Sequence, residues 1–509
     1  MSGASSVRAC AFASFLVTFV LSRSAHLSVL SAILTFFSIF SLLCSILIGY
    51  WAFVYPRWIS PLRHLPTPKG GHFFIGQMYN QLTTPGPVDL FVSWMRRWPD
   101  AHLVRYFSIG NTETLMVNSL AAFKEVQQTK AHSFHKSQLA ARMFSPITGH
   151  GLMFSEGDER KRKRTQLAME HCLRKATLDV FVIGSMGCDL DSLSLPQAHF
   201  FDVYERIIRQ PASGHIITFL DGHFPVRPWL PLKSNRRWLS DLALIRSMLL
   251  NCVGNRRMEV LSEMKTGAEK NSDRRDILTF ILEDCQLEEV NRDWTDLELL
   301  EYMLNFIAGG HETTGTTLMW VTYILATRPD IQSRLKEEVF ALCAGKPRGW
   351  EPSYEEIEHL TYVNNFLRET LRYYSPAIFL PREAAEDVTV CGTFVPKGTQ
   401  ITLCPAVSHF NPLFWGPDVD TFDPDRWSDG RVCKDSYAME AFLQGPTGCI
   451  AKNMALLNVK AVIVELVRNF VFAPAPEYDG TLKLANPHFT LRPKETLRVV
   501  VEREVAKHG

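Results

Sequence analysis

The chain has 509 residues, 46% of them hydrophobic and 21% charged, with a formal net charge of +1. This is ordinary globular composition, long enough for one large core or two domains. The balanced charge excludes a globally basic nucleic-acid binder. The eleven cysteines contain no C-x-x-C pair and the sequence no N-x-S/T acceptor, which argues against a disulfide framework or zinc ribbon and fits a reducing cytosolic compartment.

The first 26 residues form an N-terminal segment with a short apolar run, 11–21, closed by Arg23. This run either lies in a membrane interface or makes a hairpin with the next apolar run. Residues 27–55 carry no charge and are dominated by Leu, Ile, Phe and Val. A crossing needs ~20 apolar residues, so this stretch reads as a transmembrane anchor. It is too long for a signal peptide, and no small-residue cleavage site ends it. Tyr50, Trp51, Tyr55 and Trp58 make an aromatic edge, followed by Arg57, Arg63 and Lys69. That order puts the C-terminal side in the cytosol. Residues 56–75 hold Pro56, Pro61, Pro66 and Pro68, which predicts a break in the helix and a semi-rigid hinge. The remainder, 76–509, reads as one soluble domain.

Within that domain the spacing predicts a long helix from about Asp296 to Thr327, stopped before Pro329. "PDIQSRLKEEVFALC" opens the next helix with its proline, and "YEEIEHLTYVNNFLRETLRYYSP" holds another ending before Pro376. "VTVCGTFVPKGTQITL" reads as short strands, a last helix follows Cys449, and "TLRVVVERE" reads as a terminal strand. Mostly helices with a small strand-rich part give an α+β class, mainly α. The apolar stretch 223–232, "HFPVRPWLPL", is a candidate second membrane contact.

Four stretches carry chemistry. In "FLQGPTGCIAKNMA", Cys449 follows Gly445 and Gly448 at a helix start, where backbone N–H groups favour a thiolate. The glycines allow a tight turn and close approach to a flat ligand. A buried core cysteine is the plain alternative. In "FIAGGHETTGTTL", His311-Glu312 lacks the second His of a zinc helix. Thr313 can instead bond the Gly309 carbonyl and bend the helix, opening a notch beside Glu312. A close helix–helix contact at the glycines is the alternative. In "ETLR", Glu369 and Arg372 share a helix face, as many surface pairs do. Arg426 in "FDPDRW" is a candidate third partner.

Taken together and in this order, the four stretches resemble the haem-thiolate monooxygenases, the cytochrome P450 family. The resemblance covers nearly everything after the anchor and extends to "GDERKRKRTQL", "RPDIQSRLKEEV", Pro381-Arg382 and "NPLFWGPDVDTF". The anchor and hinge resemble the microsomal members, and the style is closest to fungal secondary metabolism. The resemblance implies haem b with Cys449 as axial iron ligand, and Phe442 and Gly445 in its loop. It implies Glu312 and Thr313 as the acid–alcohol pair that relays protons to dioxygen, and Glu369, Arg372 and Arg426 as a structural charge triad. Arg164 and Arg382 match propionate-binding positions. Thr447 replaces a usual cation of the loop, and Arg160, also in an unusual place, is expected to supply the missing charge within the basic run 160–164.

For substrate contacts, Phe306, Ala308 and Gly309 on the long helix, Ala377, Ile378 and Phe379 after the Glu–Arg helix, and Phe489 are candidates, with plain core packing as the alternative. The resemblance further implies NADPH–cytochrome P450 reductase as electron donor, with cytochrome b5 as a candidate second donor, since nothing here resembles a flavin or nucleotide domain. A lipophilic substrate, O2 and membrane lipid complete the partners; no nucleic acid is expected. The location implied is the endoplasmic reticulum membrane, single-pass, with the catalytic domain cytosolic. A haem-thiolate isomerase or dehydratase, or a non-catalytic haem-binding membrane protein, are the alternatives.

Overall fold

The computed structural model describes residues 3–25, 28–137, 203–266, 276–284, 294–474 and parts of 478–504, with short gaps at 205, 208–209, 211, 224–226, 348–349 and among the C-terminal residues. The chain begins with two apolar helices, Gly3–Ala25 and Val29–Gly49, that pack against each other. The run 11–21 is thus half of a helical pair. Val29–Gly49 buries none of its side chains, and its 21 residues rise ~32 Å, the thickness of a bilayer core. The apolar helical stretch continues as far as Ile59 and is long and apolar enough to cross a membrane.

Pro56 does not end this helix. It lies buried inside a π-helical stretch, Tyr50–Ile59, whose wider turns accommodate a residue without an N–H. The Pro56 carbonyl accepts a 3.1 Å bond from Arg105 Nη1, and Arg105 also pairs with Glu113 at 3.0 Å. The segment expected to act as a spacer is docked instead. Leu62 is buried in a cluster with Leu103, Leu115, Val390 and Val395, and the Arg105 N–H donates to the Pro66 carbonyl. Burial of Leu62 outweighs the stiffness of four prolines as the determinant of this segment's path.

Nine strands are described: β1 (Leu103–Phe107), β2 (Glu113–Val117), β3 (Phe134–Lys136), β4 (Leu380–Ala384), β5 (Val388–Val390), β6 (Thr393–Val395), β7 (Gln400–Leu403), β8 (Phe470–Pro474) and β9 (Val499–Arg503). The main sheet runs β1-β2-β7-β4-β3, with only β2 and β7 parallel. β5 and β6 form a hairpin, and β9 pairs antiparallel with β8.

The helical body is built on Asp296–Thr327. A capping box between Thr295 and Glu298 starts it, and Pro329 opens the following helix, Pro329–Cys343. Its later half packs Val321, Ile324 and Leu325 against Leu335 and Val339, against Val363, Phe366 and Leu367 of the helix Thr361–Tyr373, and against Val459, Ile463 and Val464 of the helix Lys452–Asn469. Its earlier half packs Leu299, Leu300, Met303 and Leu304 against Ile245, Leu249 and Val253 of the helix Lys233–Thr266. The architecture is mainly helical with small sheets, and the helix Asp296–Thr327 crosses both cores.

Candidate active site

Phe442 to Cys449 forms a turn clamped from within and from outside. The Cys449 N–H donates to the Phe442 carbonyl at 2.8 Å, and the Gly448 N–H to Gly445 at 3.0 Å. Gly445 has φ +67°, and a Cβ there would sit 2.4 Å from the Gln127 carbonyl oxygen, so only glycine fits. Leu443 is also left-handed at φ 57°, a conformation that costs a non-glycine residue free energy. Helix Lys452–Asn469 begins three residues after the cysteine, with Ala451 as its unassisted N-cap. The Cys449 side chain is exposed. Its neighbour Ile450 packs against the core that includes Leu304 and Ile307, which brings the turn to the long helix.

On that helix Thr313 Oγ1 donates to the Gly309 carbonyl at 2.7 Å, the back-bond that the sequence predicts. Thr317 repeats the pattern onto Thr313 at 2.9 Å. Glu312 Oε1 accepts a 2.9 Å bond from Thr490 Oγ1. Phe306, Gly309 and Thr313 recur at helical spacing on one face, and Phe306, Ala308 and Gly309 are each half-buried.

Glu369, Arg372 and Arg426 are completely buried. Arg372 grips both Glu369 oxygens, at 2.7 and 2.9 Å. Arg426 Nε lies 3.5 Å from Glu369 Oε1, an ion pair without hydrogen-bond geometry. The carboxylate also accepts from the Asp423 N–H and the Trp427 indole, each at 3.0 Å. The arginines spend other donors on carbonyls of His409, Trp415, Asp418, Val419 and Thr421, and Arg426 Nη2 also pairs with the Asp418 carboxylate at 3.0 Å. The irregular stretch 409–427 therefore takes its shape from these three side chains.

Among the other expected residues, Arg382 is buried on β4. Ala377 bridges to Thr490, and the Leu491 N–H donates to the Pro376 carbonyl at 3.1 Å. Ile378 is buried against Trp320 and Leu491, which is core packing. Phe379 is 48% exposed with its ring 6.4 Å from Phe91, away from that group. Arg160, Arg164 and Phe489 lie outside the described residues.

Two features were not anticipated from sequence. Thr490 comes to Glu312 from the C-terminal segment. Behind the cysteine turn, Gln127 Oε1 accepts the Gln444 N–H at 2.9 Å while its Nε2 donates to Glu440 Oε2 at 2.9 Å. Burial pushes the Glu440 carboxyl up to about 8. The Glu440 N–H donates to His409 Nε2 at 2.9 Å, and burial, then the Arg372 charge, push that imidazole down to about 3. No local pattern signals either contact.

The donor set fits a haem. Cys449 is exposed at a helix N-terminus, where a thiolate is favoured. The glycine turn keeps backbone close beneath it. Thr447 Oγ1 is buried without a hydrogen-bond partner, a polar atom suited to an anionic edge such as a propionate.

Residues 165–499 match the family model described as Cytochrome P450. The chain is 28% identical over 479 residues to "Cytochrome P450 monooxygenase sphH" of Aspergillus fumigatus, covering 83% of this chain and 85% of that protein. It is 29% identical over 516 residues to "Cytochrome P450 monooxygenase FUM15" of Gibberella moniliformis, covering 83% and 84%. "Cytochrome P450 monooxygenase buaD" of Petromyces alliaceus is 25% identical, with 92% of this chain and 93% of that protein covered.

Proposed function

The chain belongs to the cytochrome P450 family and to its monooxygenases, and on that premise we propose that it inserts one oxygen atom of O2 into a lipophilic substrate of secondary-metabolite character, such as a terpenoid or polyketide intermediate. The observation that carries the site assignment is the exposed Cys449, presented by a turn that only glycine can make at position 445. Haem b bound there supplies the iron at which dioxygen is activated, and a cysteine thiolate ligand favours O–O cleavage.

The chain's own residues do the rest. Cys449 Sγ ligates, and Gly445 and Phe442 shape its loop. Arg382, with Arg164 and Arg160 as further cations and Thr447 Oγ1 as a neutral donor, would hold the haem propionates. Glu312 and Thr313 Oγ1 together form the acid–alcohol pair that relays protons. The helix Asp296–Thr327 stays continuous through Gly309, and the Thr313 back-bond fixes the hydroxyl next to Glu312 without opening the notch expected from sequence. The presence of both residues, each hydrogen-bonded, supports a monooxygenase over an isomerase or dehydratase. Phe306, Ala308, Gly309 and Ala377 would line the substrate side; Phe489, outside the described residues, is the further candidate. Glu369, Arg372 and Arg426 are structural.

Residues 27–55 cross the endoplasmic reticulum membrane once, 56–75 connect, and 76–509 form the cytosolic catalytic domain. Electrons come from NADPH through cytochrome P450 reductase, with cytochrome b5 as second donor. The test is spectroscopic. The ferrous carbonyl complex of the wild-type chain is expected to show the red-shifted thiolate Soret band, and Cys449→Ala to abolish it. A normal band in that variant would place the ligand elsewhere.

A further inference from the structure

The cysteine turn is cast against a second element. Residues Glu125–Thr129 form a π-helical turn, and Gln127 within it is 1% exposed. Its amide is used at both ends, accepting from the Gln444 backbone and donating to Glu440. The Gln127 carbonyl is the atom that excludes any side chain at Gly445. Gln128 extends the contact, since its Oε1 accepts the Tyr437 hydroxyl at 2.7 Å. Gln444 in turn donates its side-chain amide to the Ser436 and Met439 carbonyls. Glu440 is fixed from the other side by its N–H on His409.

Leu443 needs such support. Its left-handed backbone lies directly between Phe442, which takes the Cys449 N–H, and Gln444, which Gln127 holds. Without the Gln127 contact a non-glycine residue at that φ favours relaxation, and relaxation at 443 rotates the chain leading to the thiol. A side-chain amide satisfied at both ends has one low-energy pose, so it works as a rigid spacer between Glu440 and the turn.

We propose that Gln127 and Glu440 are positioning residues for the thiolate, holding the Cys449 turn in its ligating conformation. The proposal rests on Cys449 being the axial ligand. It concerns how well the sulfur is held and adds no step to the reaction.

The experiment uses the full chain and four variants: Gln127→Met, Glu440→Leu, Glu440→Gln and the double Gln127→Met/Glu440→Leu. Two readouts are taken. One is the rate at which the ferrous carbonyl complex loses its red-shifted thiolate band. The other is backbone amide exchange across residues 442–449 of the haem-free chain. Gln127→Met is expected to lose the band about tenfold faster, the effect of removing a buried hydrogen bond, and to exchange faster at Gln444. Glu440→Gln keeps an acceptor for Gln127 and is expected to behave as wild type.

The double variant separates positioning from stability. Replacing both partners by apolar groups leaves nothing buried and unsatisfied between them, so thermal stability is expected to recover. The thiolate lifetime is expected to stay short, because the Gln444 N–H still lacks its anchor. Recovery of both together, or a wild-type lifetime in Gln127→Met, would overturn the proposal. A single variant that fails to fold leaves the double variant to decide. Absence of the thiolate band in the wild-type chain would instead sink the ligand assignment, a separate outcome.

Discussion

Thr490 donates a 2.9 Å hydrogen bond to Oε1 of Glu312 across 178 residues of chain. Thr490 is itself held, because Ala377 bridges to it and Leu491 is tied to Pro376 and to the Trp320 indole. The acid therefore has a fixed orientation on a fixed platform. Thr490→Val removes the donor with little change in volume. Product per NADPH is expected to fall about tenfold, the scale of one hydrogen bond, with the difference appearing as hydrogen peroxide. Thr490→Ser should restore coupling. Unchanged coupling in the valine variant would show that the Thr490 contact is packing alone.

Thr313→Ala tests the neighbouring hydroxyl. It frees the Gly309 carbonyl from its 2.7 Å bond and removes the hydroxyl proposed to pass the proton. Haem and substrate binding are expected to persist, while NADPH consumption uncouples into peroxide. Titrating substrate and measuring peroxide per NADPH checks both halves. If coupling is retained, Thr313 is structural and the relay runs through another hydroxyl.

The buried charge network makes a stability prediction. Arg372→Ala leaves Glu369 without its two shortest bonds inside the core, with only the 3.5 Å contact to Arg426 as a charged partner, and breaking such a buried network costs about 3–5 kcal/mol. Loss of haem-loaded folded protein on expression is the expected result. The exposed pair of Arg334 and Asp425, at 2.6 Å, is the control. Breaking it should change stability by about 1 kcal/mol or less. Equal tolerance of both variants would contradict the burial argument.

The sequence made the helix Asp296–Thr327 readable from end to end, because a capping box and a proline mark its limits and its period is long. Glu369, Arg372 and the Thr313 back-bond were readable for the same reason: each depends on spacing within one helix. Pro56 was misread because the rule that proline stops a helix assumes α-geometry, whereas this turn is π-helical. Docking of the segment around Leu62 depends on cross-chain burial that local prolines do not encode. Phe379 and Ile378 precede β4 and point apart, Phe379 toward Phe91 and Ile378 into the core, a divergence that hydrophobicity alone does not encode. Gln127 and Thr490 could not be found at all, since each meets its partner from a distant part of the chain and neither lies in a motif.

Two buried groups set opposite pH limits. Glu440 stays protonated in the folded chain up to about 8, against an ordinary value of 4.5. Between those values the unfolded chain gives up a proton that the folded chain keeps, so stability falls as pH rises. His409 stays neutral down to about 3, against 6.5, so below 6.5 the unfolded chain takes a proton that the folded chain refuses. Its contribution falls as pH drops. From 4.5 to 6.5 the two slopes oppose each other, so these groups together give a plateau there, with losses above and below. Each outer limb has a slope of up to about 1.4 kcal/mol per pH unit. Denaturant unfolding at a series of pH values reads this directly. Glu440→Gln should flatten the limb between 6.5 and 8; an unaltered slope would mean that Glu440 does not control it.

Apolar surface continues beyond the N-terminal apolar helices. Deleting residues through Tyr55 removes the segment proposed to make the ~30 Å crossing but keeps the Pro56 carbonyl on Arg105. The catalytic domain should therefore stay folded and bind carbon monoxide. It still presents apolar surface, with Phe73 and Phe74 60% and 61% exposed and Trp229 83% exposed. In the full chain Phe53 stacks on Phe73, with ring centroids 4.4 Å apart, which places Phe73 and Phe74 beside the end of the N-terminal apolar helix. Trp229 lies in the stretch 223–232 read from sequence as a second contact, and buried Arg227, stacked 3.8 Å over Trp238, fixes the turn that carries it. Aromatic side chains of this kind favour the bilayer interface. The truncated chain is expected to sediment with membranes in low salt and to be released by carbonate, as a peripheral protein. Adding Phe73→Ser, Phe74→Ser and Trp229→Ser should make it soluble without loss of the carbonyl spectrum. Retention through carbonate washing by the truncated chain would require an insertion deeper than these side chains reach, and solubility before the serine changes would remove the patch from membrane binding altogether.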